Sequence, residues 1–214
     1  MNTLRPVSES RFETHDGVSL FYRHWPATGP RRGAVVMFHR GHEHSGRIAH
    51  LANELDLPGF DFFAWDARGH GHSPGARGHS PSFGTSVRDV QTFVDHIRDH
   101  HGIAHADMAV LAQSVGAVLV STWAHDYAPR VRCLVLASPA LAGELLVAAA
   151  PVFWALAKPA TAIRPASRKE AEVLVIRFPL EDSGASKSGS HLHSTFGRRR
   201  SVTDSRAAGR RTRR

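Results

Sequence analysis

The chain has 214 residues, of which 42% are hydrophobic, 8% aromatic and 21% charged, enough for one globular domain with a real core and incompatible with a wholly disordered or fibrous protein. Its net charge of +8 is unevenly placed. Residues 1–157 hold 13 Arg, no Lys and 14 acidic residues, whereas residues 158–214 hold 14 basic residues against 5 acids, so any charge-driven binding of nucleic acid rests on the tail alone.

Taken in chain order, short apolar runs alternate with amphipathic stretches, the pattern of an α/β fold with a buried parallel sheet. Val18 to Arg23 and Ala34 to Phe38 read as strands, the first in a hairpin-like antiparallel edge. Ser45 precedes Ile48, Leu51, Ala52 and Leu55, spaced as one apolar helix face until Pro58 and Gly59 stop it. Phe60 to Trp65 is the next strand, and Ala67 to Pro81, dense in Gly, His, Ser and Pro, is a long loop. Ser86 with Asp89 resembles a capping box for a helix whose stripe is Val87, Val90, Val94 and Ile97, ending near Gly102. Met108 to Ala112 predicts a strand, Val115 to His125 a helix closed by Pro129, and Val131 to Ala137 another strand. Three strand-to-helix units result.

Beyond Val147 the pattern changes. Residues 148–182 are Ala-rich and Pro-punctuated at first, and Lys169 to Phe178 reads as one short helix or strand. Residues 183–214 are rich in Ser, Gly, His and Arg and predict a basic, disordered tail. Three segments are therefore expected: 1–147, 148–182 and 183–214.

Ala112-Gln113-Ser114-Val115-Gly116 lies where an apolar strand gives way to a helix. A nucleophilic serine on such a turn is strained and needs small neighbours two residues away on each side, here Ala112 and Gly116. The competing reading is an ordinary serine N-cap.

The turn His39-Arg40-Gly41-His42-Glu43-His44-Ser45-Gly46-Arg47, the loop Asp66-Ala67-Arg68-Gly69-His70-Gly71-His72-Ser73 and the serine turn occur in this order. Together they resemble the α/β-hydrolase superfamily, in particular its monoacylglycerol lipase and lysophospholipase branch, also filed as serine aminopeptidase S33. The resemblance covers about Arg11 to Val147. It implies an α/β-hydrolase fold with a mainly parallel sheet, apparently truncated before the cap and the last strands. It further implies Ser114 as nucleophile, with the N–H groups of Val115 and Gly41 as oxyanion donors. Arg40 stands where the family turn has glycine. The loop Asp66 to Ser73 is expected to be structural.

In such enzymes the acid and the histidine follow the serine. Only Val173 to Ile176 can supply a further strand, with Asp182 and His191 or His193 after it, too close together for an intervening helix and strand. They are weak triad candidates, so catalytic competence stays open. If nothing replaces the missing strands, Val131 to Ala137 is left as an unpaired edge, with Leu145 to Leu156 as its best cover.

His39, His42 and His44 match no metal-site spacing, and His96 and His100 read as a solvated helix face, so neither metal nor cofactor is expected. A lone cysteine, Cys133, and no visible secretory signal or membrane-length apolar run suit a cytoplasmic protein. The expected function is hydrolysis of small acyl-ester substrates such as monoacylglycerols or lysophospholipids by Ser114. The alternative is binding of nucleic acid or an acidic partner, non-specifically, through Arg198 to Arg214.

Overall fold

Seven strands form one sheet in the order β1-β2-β4-β3-β5-β6-β7. The computed structural model describes residues 4–140 and the backbone of Val173–Arg177, all within one unit, Met1–Leu180. The expected boundaries at 147 and 182 lie outside the described residues, as does Leu145 to Leu156.

The strands are β1 (Ser8–Glu13), β2 (Ser19–Trp25), β3 (Gly33–Phe38), β4 (Phe60–Trp65), β5 (Met108–Gln113), β6 (Cys133–Ala137) and β7 (Val173–Arg177). The central four, β4, β3, β5 and β6, run parallel. All six residues of β3 are buried, as expected of a strand covered on both faces. β1 escapes a hydrophobic reading because its only buried residue is Phe12. It is a polar edge strand held by antiparallel pairing to β2, a usual way of keeping an edge from recruiting other chains.

At the other side the expectation of an unpaired edge is corrected. β7 pairs antiparallel with β6 from Cys133↔Arg177 to Ala137↔Val173, so the backbone of β6 is bonded on both sides.

The helices differ from their sequence readings in instructive ways. The expected helix from Ser45 to Leu55 is split into a 3-10 turn, Ser45–Arg47, and a four-residue α1, Leu51–Glu54. Ile48 and Ala52 are buried as read, but Leu55 is 41% exposed. Two ties to other segments pin the first turn: the Ser45 N–H donates to Asp66 Oδ1 at 2.6 Å, and Arg23 Nη1 donates to Ser45 Oγ at 2.7 Å. The chain then advances by i→i−3 bonds, Leu51 to Ile48 and Ala52 to Ala49.

Helix α2 (Phe83–His101) starts one turn before the expected capping box. Ser82 is the N-cap, its Oγ accepting from the Thr85 N–H at 3.0 Å, and Gly102 closes the helix in the left-handed region. Asp89 caps nothing. It is 1% exposed and accepts two bonds from Arg68, at 2.6 and 2.9 Å, while the same guanidinium reaches Asp16 with two more at 2.6 and 3.0 Å. This fork bolts the loop after β4 to α2 and to the β1–β2 turn. The hydrogen bonds to Arg68 hold the Asp16 carboxyl well below the usual range, and those to Asp89 raise Arg68. Helix α3 (Val115–Tyr127) is buried almost all round and packs against β3, β5, β6 and α2.

His96 also departs from its reading. It is half-buried, its Nε2 lies 3.1 Å from the Tyr22 hydroxyl, and the His101 Nε2 lies 3.0 Å from the same oxygen. One hydroxyl thus bridges two imidazoles, donating to one and accepting from the other. Burial, then the neighbouring histidines, push His96 down to about 4; burial and His24 do the same to His101.

Two outcomes are expected. Asp89→Ala strips the buried guanidinium of its inner partner and should cost about 3 kcal/mol in chemical denaturation, with Asp16→Ala, at the solvent end, costing clearly less. Because both depressed histidines are neutral in the fold but charged in the unfolded chain below about pH 6.5, stability should be full above that pH and fall towards pH 4. Thermal melts of a His96→Gln/His101→Gln variant should be flatter across this window.

Candidate active site

Ser114 joins β5 to α3 with φ 54° and ψ −118°, a region that costs a non-glycine residue roughly 1–3 kcal/mol. Its backbone is fixed from three directions: its N–H donates to Ala137 O at 3.0 Å, and its carbonyl accepts from Ala117 N–H at 3.1 Å and Ala140 N–H at 3.3 Å. The side chain makes no cap bond to the helix, so the N-cap reading fails and the half-buried hydroxyl is left for other use. Packing explains the small neighbours. A Cβ on Gly116 would stand 2.6 Å from the His39 carbonyl oxygen and 2.9 Å from that of Phe38, so only glycine lets α3 press against the end of β3. Ala112 is fully buried.

The turn after β3 is brought beside this helix start. A Cβ built on Gly41 would meet Val115 Cγ2 at 3.6 Å, so the two expected oxyanion residues are neighbours. Arg40 does not fill the gap; its Nε reaches out to Glu43 Oε1 at 2.8 Å.

The residue that sets this turn, His39, stands first in the family-like motif but is given no role of its own by the sequence. His39 is 5% exposed; its Nδ1 lies 2.7 Å from the Arg40 carbonyl, and its Nε2 receives the Ala67 N–H at 3.1 Å. Those partners require the neutral Nδ1–H tautomer, and burial lowers its affinity for a second proton. Both ring nitrogens are occupied in stapling the turn after β3 to the end of β4. The signal missed in the sequence is position: a histidine directly after a fully buried strand has backbone groups around it to satisfy.

The loop Asp66 to Ser73 is tied by backbone bonds. Asp66, fully buried, accepts from the Ser45 N–H at 2.6 Å and the His72 N–H at 2.8 Å. A side chain on Gly71, at φ 47°, would overlap the Asp66 carboxylate. Ser73 Oγ donates to the Asp66 carbonyl and accepts from the Phe21 N–H.

Among the described residues, His15, Asp16 and Asp89 bring ligand atoms within 4.8 Å of one another, but Arg68 already bonds both carboxylates. Asp182, His191 and His193, and the tail Arg198 to Arg214, lie outside the described residues. Ser114 Oγ forms no hydrogen bond with a described residue. No described helix is long and apolar enough to cross a membrane.

A central parallel sheet that hands a strained serine to a tightly seated helix is the α/β-hydrolase arrangement. Solved structures agree at the level of the fold: a carboxyl esterase from Bacillus coagulans in complex with glycerol superposes with a TM-score of 0.56 at 19% identity, over 73% of this chain and 52% of the other. The family model described as "Serine aminopeptidase, S33" matches residues 29–192. The chain is 52% identical over 164 residues to YnbC of Escherichia coli (strain K12), covering 76% of this chain and 27% of that one. It is 36% identical over 161 residues to a monoacylglycerol lipase of Mycolicibacterium smegmatis, covering 70% and 55%. The chain belongs to the serine aminopeptidase S33 family of α/β-hydrolases, and it spans about half or less of the length of these two relatives.

Replacing Ser114 by glycine should relieve the turn. Ser114→Gly is expected to stabilise the protein by about 1 kcal/mol, read from denaturant midpoints. A loss of stability would mean that the hydroxyl holds the turn together.

Proposed function

We propose that the protein is a serine esterase acting on acyl esters of the monoacylglycerol or lysophospholipid kind. The observation that carries this reading is the Ser114 turn, at φ 54° with a side chain that caps nothing. Ser114 Oγ adds to the ester carbonyl, and its proton passes to a general base and on to the departing alcohol. The oxyanion is held by the N–H groups of Val115 and Gly41 and by the positive end of α3. Water then releases the acid from the acyl-enzyme. The sequence candidates for base and orienting acid are His191, His193 and Asp182. The lipase name of the Mycolicibacterium relative supports the acyl-glycerol class.

A cavity of about 260 Å³ opens beside the donors. Gly41 and Val115 form one wall, and Trp65, Phe83 and Leu119 make it largely apolar, suited to the acyl side of the ester.

With the full-length chain and short p-nitrophenyl esters, Ser114→Ala should lower hydrolysis by about 100-fold or more. An unchanged rate would remove the nucleophile from this reading. If turnover depends on Ser114, loss on His191→Ala or His193→Ala identifies the base.

A further inference from the structure

A second cavity, of about 580 Å³, adjoins the apolar one, with His70 and Gly78 lining both. Its character is different. His42, His44, His70, His72 and Arg77 line it, and Glu43 is its one acidic side chain. That carboxylate is neutralised by Arg40 at 2.8 Å. Among the described residues Arg77 pairs with no carboxylate, and its one hydrogen bond is from Nη1 to the Gly71 carbonyl at 3.3 Å, so the rest of the guanidinium fork has no described partner.

The ring tautomers decide which nitrogens can donate. His44 Nδ1 accepts the Gly46 N–H at 3.2 Å, so the proton of the neutral ring sits on Nε2 as a donor. His70 Nδ1 lies 2.8 Å from the Arg68 carbonyl and therefore carries hydrogen, leaving Nε2 without a described partner. His72 is braced against Phe21, with ring centroids 4.8 Å apart. The loop bonds of Asp66 and Ser73 described above hold this wall in place.

A divalent metal is the wrong occupant for this spacing. It needs ligand atoms crowded about 2.1 Å from one centre, and no three of these side chains bring ligand atoms within 4.8 Å of one another, whereas His15, Asp16 and Asp89 do. A phosphate is larger: its donors sit about 2.8 Å from oxygens already spread around the phosphorus, so a guanidinium and separated imidazoles can surround it.

We infer that the pocket between the Gly41–Arg47 turn and the Gly69–Gly78 loop is a subsite for a phosphate group, placed to receive the head group of a phosphate-bearing acyl ester. The inference rests on the esterase reading for the word "head group", and it narrows that reading from acyl-glycerols in general to those carrying phosphate. Arg77 supplies the fixed charge and bidentate bonds, His44 supplies a donor from Nε2 of its neutral ring, and His70, whose Nδ1–H is spent on the Arg68 carbonyl, donates from Nε2 in its protonated form. The apolar cavity beside Gly41 and Val115 takes the acyl side.

The test is binding to the full-length Ser114→Ala protein, which cannot turn over a substrate through Ser114, with sn-glycerol 3-phosphate, inorganic phosphate and glycerol as probes. Calorimetry should show sn-glycerol 3-phosphate binding more tightly than inorganic phosphate, and glycerol not binding. Adding Arg77→Gln should weaken sn-glycerol 3-phosphate by about tenfold or more, the scale of one lost charge-assisted pair. In NMR spectra the ring signals of His44 and His70 should shift on titration while those of His96 and His101 stay in place. An affinity within twofold after Arg77→Gln, or unmoved His44 and His70 signals, overturns the subsite. Equal binding of inorganic phosphate and sn-glycerol 3-phosphate reduces it to a free-anion site and overturns the head-group assignment. Failure of the esterase reading shows separately, as hydrolysis by the parent protein that does not depend on Ser114.

Discussion

The contact on which the rest of the site depends is the approach of α3 to the end of β3. Two carbonyl oxygens, of Phe38 and His39, occupy the space where a side chain at residue 116 would lie. Glycine at that point lets the helix start directly after β5 instead of after a longer loop, and the shortest connection forces Ser114 into its positive-φ conformation. The same approach puts Val115 against Gly41. The strained turn and the contact of Val115 with Gly41 both follow from a single missing Cβ.

A strained turn survives only in surroundings that over-determine it, and the molecule supplies them on both sides. Below it, β3, β5 and β6 fix the strand ends through parallel pairing, and the Ala137 carbonyl takes the Ser114 N–H. Beside it, His39 ties the turn after β3 to the end of β4 with both ring nitrogens, while Asp66 and Arg68 tie the following loop to β2, the 3-10 turn and α2. These are buried, hydrogen-bonded polar groups, expensive to disturb because each leaves an unsatisfied partner behind. They account for loop segments rich in Gly, His and Arg that contribute little to the apolar core yet are not free to move. His42, His44, His70 and His72 are left lining the larger cavity beside these loops.

Much of the fold was legible because its signals are local. Ala34 to Phe38, Phe60 to Trp65 and Met108 to Ala112 are apolar enough to be strands buried on both faces, and the stripe Val87, Val90, Val94, Ile97 is one face of a helix. The misreadings share one cause: polar residues whose partners are distant in sequence. Asp89 looked like a cap because its partner, Arg68, lies 21 residues away. Ser8–Glu13 carries no apolar pattern that marks it as a strand, because its structure comes from pairing with β2. The helix after Ser45 looked continuous because Asp66 and Arg23, which hold its first turn, are not in its own segment.

For the candidate site, sequence alone determined where the strained serine turn falls, its small neighbours, and the order of the three motifs that resemble the family, because such a turn is defined by residues within five positions. What only the tertiary structure decided is which polar side chains are spent on holding the turns and which are left over. His39, His44 and His70 are indistinguishable by composition. Both nitrogens of the first are bonded to backbone groups in a buried site, whereas each of the others has one bonded nitrogen and one with no described partner. That division depends on which backbone groups end up beside each ring, a property of packed loops that no local pattern encodes.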